Sequence, residues 1–208
     1  MIKILRLAAV ILFICIPFFY AQAQGGFIEE SVWSNIDPTT GSASDFIITQ
    51  DGSKHFGVIK RNFDYADYDE IDFEIRGNVK TYLPSDLKAF GLENGQFFMS
   101  KRLPDSAQLE FVQILFSGKL QLDYKKGKYY IENGLGIQEL RAYYQDVTVD
   151  GEKRRRNIKL YISTLKILTS GACGFEFIDL IEKSRLDEQD LIRILTQYHE
   201  CEELPYKL

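Results

Sequence analysis

Between residues 45 and 141 the chain is broken by turn signals at short intervals: Asp51-Gly52, Gly77-Asn78, Asn94-Gly95, Ser117-Gly118, Lys126-Gly127 and Asn133-Gly134. Runs of that length are too short for ordinary helices and suit strands joined by hairpins. The runs carry the strand signature as well. In EIDFEIRG, Ile71, Phe73 and Ile75 alternate with Asp72, Glu74 and Arg76, so one face is apolar and the other polar. In KLQLDYK, Leu120, Leu122 and Tyr124 alternate in the same way with Gln121, Asp123 and Lys125. About ten short strands at this spacing predict a mostly antiparallel sheet, as a sandwich or a partly open barrel. An antiparallel sheet can leave one face wet while the other builds the core. The 15 Phe and 12 Tyr fit those strands, because aromatic rings supply large burial on a pleated surface.

After the loop QDVTVDGEKRRRN the period changes. ISTLKILTS is short and ambiguous, whereas FEFIDLIEKS and LDEQDLIRILTQYHEC read as helices. In the last, Leu191, Ile194, Leu195, Tyr198 and Cys201 fall on one apolar stripe, with Asp187 as N-cap and Leu186 and Leu191 placed for a hydrophobic staple. The fold class expected is therefore α+β, an antiparallel β domain over 45–146 followed by a C-terminal helical appendage over 147–208 that packs on it.

The N-terminus has the form of a secretory signal peptide over residues 1–23: Lys3 and Arg6, an apolar run, then Ala21-Gln22-Ala23. The run is shorter than a membrane-spanning helix requires, and Ile14 before Cys15 argues against lipidation. Residues 24–44, with Asp37-Pro38 and a Thr/Gly/Ser cluster, read as an irregular leader in which Trp33 tucks against the sheet edge or offers a sugar-stacking platform. Export places the chain in the periplasm, at the outer membrane or outside the cell. The formal charge of −5 excludes ready nucleic-acid binding, which needs a basic surface. No later segment is long and apolar enough to be a transmembrane helix.

In an oxidising compartment Cys173 and Cys201 are expected to form a disulfide. A zinc site would need more ligands than two thiols and His199 supply. A nucleophilic cysteine with His199 as base is the remaining reading. His199, one position after Tyr198, is expected to face solvent. The acids of FDYADYDEIDFE (Asp64, Asp67, Asp69, Glu70, Asp72 and Glu74) lack the turn glycine and closing glutamate of a calcium loop, and a paired-carboxylate hydrolase is the other chemistry they bring to mind. Lys153, Arg154, Arg155 and Arg156 form a solvated loop or a contact for anionic lipid or lipopolysaccharide. There is no G-x-S-x-G and no Gly-rich phosphate loop. No catalytic, cofactor-binding or metal-ligating residue is assigned.

The order of DFIITQDGSKHFGVIK, EIDFEIRG, YLPSDLKAFGLENGQFF, FVQILFSGKLQLDY and GACGFEFIDLIEKS…LIRILTQYHEC resembles an exported domain common in Bacteroidota. Asp51, Gly52, Gly57 and Ile59 match its opening D-G-x-x-x-x-G-x-I hairpin, and Cys173 and Cys201 match its closing cysteine pair. Some members are similar to the N-terminal part of outer-membrane β-barrel proteins, whereas PYKL ends this chain without barrel strands, as in a free-standing or shortened version. The resemblance covers roughly residues 45–203 and carries no catalytic residue. The function expected is a non-catalytic binding or scaffold module of the bacterial cell envelope, partnered by an outer-membrane or envelope protein. The alternative is a cell-envelope hydrolase using acids of the 64–74 segment.

Overall fold

The structure is a computed structural model that describes residues 44–61, 67–170, 173 and 175–203. The segment expected to be a signal peptide, the expected leader with Trp33 up to residue 43, and Asp64 lie outside the described residues. The chain forms a ten-stranded antiparallel sheet, a separate two-stranded ribbon and three C-terminal helices, so the α+β class is observed. The sheet does not close into a barrel.

The strands are β1 (Asp45–Thr49), β2 (Lys54–Ile59), β3 (Ile71–Ile75), β4 (Asn78–Tyr82), β5 (Leu87–Gly91), β6 (Phe97–Arg102), β7 (Leu109–Phe116), β8 (Gln121–Lys125), β9 (Lys128–Asn133) and β10 (Gly136–Leu140). Their spatial order is β10-β9-β8-β7-β6-β5-β1-β2-β3-β4. Two meanders, one of four strands and one of six, therefore join along a single seam where β1 pairs β5. Two residues with positive φ make the β3–β4 turn (Arg76 51°, Gly77 81°) and the β8–β9 turn (Lys126 49°, Gly127 77°). This is the type I′ geometry that follows the twist of a hairpin. The first of these turns centres on Arg76-Gly77, one residue earlier than the Gly77-Asn78 signal, and Asn78 already belongs to β4.

Only residues 83–86 connect β4, at the sheet's edge, back to β5. Four inter-strand gaps of about 4.8 Å would separate those strands in a flat sheet, and five Cα steps reach at most ~17 Å. The link is shortened further by a turn in which Asp86 N–H donates to Leu83 O at 2.9 Å. The sheet must therefore curl. Gln50 fixes the curl by donating from Nε2 to Ser85 O at 3.1 Å and Leu87 O at 2.9 Å. Inside it lies an aromatic core of Ile47, Ile59, Tyr68, Ile71, Phe73, Leu87, Phe90, Leu92, Phe98 and Phe111, where Phe90 and Phe98 stack 4.6 Å apart and Tyr68 meets both edge-on.

At the other end of the sheet the helices α1 (Leu160–Leu168), α2 (Phe175–Lys183) and α3 (Glu188–Glu203) cover a second core. Leu191, Ile194, Leu195 and Tyr198 of α3 are all buried against Leu120, Leu122, Ile131 and Leu140 of the sheet and Phe177 and Ile181 of α2, as the apolar stripe predicts. Asp187 caps α3 by accepting Asp190 N–H at 3.0 Å, while Asp190 reaches back to Arg185 N–H at 2.8 Å. The ambiguous ISTLKILTS stretch is the body of α1, anchored by buried Tyr161, whose hydroxyl donates to Ser184 O at 2.6 Å.

The segment read as the loop QDVTVDGEKRRRN is instead a hairpin, β11 (Ala142–Val149) and β12 (Glu152–Lys159), closed at Asp150 (φ 52°) and Gly151 (φ 82°). The ribbon runs straight across the expected 146/147 domain boundary. Its apolar and charged residues do not alternate cleanly because both of its faces are wet.

Candidate functional site

Cys173 and Cys201 stand at disulfide distance, with Cα atoms 5.6 Å apart, inside the range a relaxed bridge spans. The bridge ties the last turns of α3 to the segment between α1 and α2. His199 does not face open solvent as expected. Its half-buried imidazole packs on Phe116 at 5.3 Å and on Tyr198 at 5.7 Å. A Cβ added to Gly118 would lie 2.2 Å from its ring. The ring therefore fills the space over the β7–β8 turn, with Nε2 enclosed and without a hydrogen-bond partner among the described residues.

The acidic segment divides among several jobs. Lys125, only 2% exposed, donates to Tyr68 O at 2.9 Å and is paired with Asp67 at 2.5 Å and Asp69 at 3.3 Å. Lys126 adds a second cation on Asp69 at 3.0 Å. Those contacts, the Lys126 hydrogen bond foremost, hold the Asp69 carboxyl below the usual range. Asp72 accepts from the Thr81 hydroxyl at 2.6 Å and lies 3.7 Å from Lys60. Glu74 sits half-buried on the outer face of β3, and Glu70 is exposed. The described acids are thus spread along a strand and the loop before it, and two of them neutralise a buried lysine. Among the described residues no three His, Cys, Asp or Glu side chains gather as a metal-binding group.

Two further buried charge clusters escaped the sequence reading. Asp45 is 4% exposed and accepts Ile59 N–H at 2.8 Å, Glu93 N–H at 2.9 Å and the Arg61 guanidinium at 2.8 Å, locking β1 to the end of β2 and to the β5–β6 turn. Lys101 pairs with Asp123 at 2.7 Å and also with Glu132. Burial pushes the Asp123 carboxyl up, against the opposing pull of Lys101. Alternation in QLDYK assigns Asp123 and Lys125 to the polar side of β8, yet both are buried. The period of a strand reports which side a residue takes, not whether that side is wet.

Two exposed surfaces among the described residues have an organised composition. On the outer face of β2, β3 and β4, the register puts Val58, Glu74 and Val79 in one row across three strands. Val58 is 59% and Val79 46% exposed, with Phe56 at 56% and Leu83 at 49% extending the apolar area. Phe56 lies edge-on to Phe46 at 6.2 Å, and the Lys54 ammonium sits over both rings, 3.8 Å from the Phe46 centroid and 5.0 Å from that of Phe56. Asp72, Thr81 and Lys60 form a polar rim. β4 is also one of the two edge strands of the sheet among the described residues. The second surface is the β11–β12 ribbon, where Tyr143 and Tyr144 are exposed beside the run of cations and the Arg155 guanidinium lies 4.6 Å over the Tyr144 ring. No helix of the described residues is long and apolar enough to cross a membrane.

Comparison with protein families, with curated proteins and with solved structures finds no match.

Proposed function

We propose that the protein is a non-catalytic binding or scaffold module of the bacterial cell envelope, docking an envelope protein on the outer face of β2–β4. The observation that carries this reading is the exposed apolar side chains of Phe56, Val58, Val79 and Leu83 on the outer face of β2–β4, reaching the β4 edge and bordered by charged residues. Contiguous apolar surface with a polar rim marks interaction sites on folded proteins, and an open edge strand offers backbone groups to a partner. The export signal of the sequence and a cysteine pair at bonding distance support placement outside the cytoplasm. The pairing of Asp67 and Asp69 with Lys125 and Lys126 makes these carboxylates structural, which supports binding over hydrolysis.

The test is site-specific photocrosslinking in intact cells, with the reactive group at position 58 and a control at position 135 on the exposed β9–β10 turn. A discrete adduct is expected at 58 alone, abolished by Val79→Lys with the unfolding midpoint unchanged. Equal labelling at both positions, or hydrolysis of envelope material that Asp67→Asn removes without unfolding the protein, would reverse the reading.

A further inference from the structure

The β11–β12 ribbon is charged oppositely to the chain that carries it. It holds five basic residues, Lys153, Arg154, Arg155, Arg156 and Lys159, against three acids, in a chain of formal charge −5. Among the described residues its strands pair only with each other, and all their residues except Val147, Ile158 and Lys159 are exposed. Eight residues per strand give it a reach of about 27 Å, which exceeds the ~8–10 Å over which physiological salt screens charge. The acidic body therefore does not cancel the field of the ribbon's outer part.

The distribution of the cations distinguishes possible partners. Strand alternation sends Arg154 and Arg156 to one face, with Glu152, Tyr143, Val147, Val149 and Ile158, and Lys153, Arg155 and Lys159 to the other, with Asp146 and Tyr144. A folded acidic protein would cover one face and leave the other face's cations in water. A headgroup layer closes around both. Tyrosines beside arginines also match the boundary between water and lipid, where an amphipathic ring has one end apolar and one end wet, and arginine suits planar recognition of phosphate. Glu152 is held by Arg154 at 3.1 Å, and Asp150 occupies the tip, so the ribbon enters the layer along a strand edge, with headgroups on both faces, rather than tip-first.

We infer that the β11–β12 ribbon rests in the headgroup layer of an anionic, phosphate-bearing lipid surface. The inference relies on the envelope reading above but uses a different surface of the molecule. It is tested with the full chain on vesicles of phosphatidylglycerol mixed with phosphatidylcholine, against phosphatidylcholine alone, by co-sedimentation at low and high salt. Preference for the anionic vesicles is expected, weakened by salt and reduced about 100-fold when Arg154, Arg155 and Arg156 are all replaced by Gln. Replacement of the three by Lys should keep most of the preference, and circular dichroism and the unfolding midpoint should match wild type in both variants. Equal binding to both vesicle types, or an unchanged preference in the folded Gln variant, overturns the inference. So does displacement by dilute inorganic phosphate, or a salt-sensitive complex with a single-stranded oligonucleotide while the vesicles stay unbound. Failure here with crosslinking at position 58 intact removes the lipid contact alone, and loss of the crosslink with lipid binding intact removes only the protein-docking reading.

Discussion

Phe73 is 1% exposed, and its ring occupies the space a Cβ on Gly57 would need: such an atom would lie 2.6 Å from the ring and 2.5 Å from Glu74 O. Phe46 lies over Gly91 in the same way, 2.4 Å from a built Cβ and directly opposite it in the register. A glycine paired with an aromatic ring across strands is a way to pin register in a curled sheet, and it gives the second glycine of the D-G-x-x-x-x-G-x-I motif a physical role. Phe73→Ala should destabilise the protein by about 3 to 5 kcal/mol through lost burial and a cavity, whereas Glu74→Ala on the outer face should change stability by no more than ~0.5 kcal/mol. Urea unfolding of both variants checks this, and a reversed order would mean a register slipped by one residue. Asp51 at the β1–β2 turn is a second residue-scale case. Hydrogen bonds from the Thr49 hydroxyl, and from the N–H and hydroxyl of Ser53, hold its carboxyl at about 2. A depressed carboxyl stabilises the fold above its ordinary value of 3.8 and stops doing so as pH falls through about 2. NMR titration should show Asp51 still ionised at pH 3. Much of this was legible in the sequence, since EIDFEIRG assigns Phe73 inward and Glu74 outward. His199 was not, because its packing against Phe116 and Gly118 depends on where α3 crosses the sheet, which helical periodicity does not encode.

Elements in this chain are specified by turns more than by strand propensity. The hairpins of the large sheet were legible because X-Gly pairs at 51–52, 94–95 and 126–127 leave few alternatives. The β11–β12 ribbon was misread as a loop because both its faces are solvated, so no apolar alternation announces it. The loop carrying Asp67 and Asp69 was harder still. Its acids look like a site until buried Lys125, 57 residues away from Tyr68 in sequence, is seen donating to the Tyr68 carbonyl. That loop is held down by charge. Lys125→Met should therefore cost about 3 kcal/mol or more by removing the buried cation that Asp67 faces, while Asp69 keeps Lys126. Adding Asp67→Asn to that variant should restore part of the loss. A harmless Lys125→Met in chemical denaturation would show that the pair contributes nothing.

At the scale of the whole molecule, the two largest buried clusters among the described residues are joined by one sheet, with the aromatic core under the curl and the helices at the far end bolted by the cysteine pair. Non-reducing peptide mapping should recover the peptides of Cys173 and Cys201 joined. Replacing both by Ser should lower stability by roughly 3 to 4 kcal/mol, the chain-entropy value for a bridge across a separation of 28 residues. Two freely alkylatable thiols would exclude the bridge. The seam between β1 and β5 has a kinetic meaning. Every other neighbouring strand pair in the sheet is adjacent in sequence, so each meander can zip from its own turns at low loop-closure cost, while this one contact must wait until β2, β3 and β4 have been passed. The rate-limiting encounter in folding is then the meeting of two preassembled halves. Truncations at Ile47 or Phe90 should slow refolding, and truncations at Leu122 or Ile131 should mainly hasten unfolding.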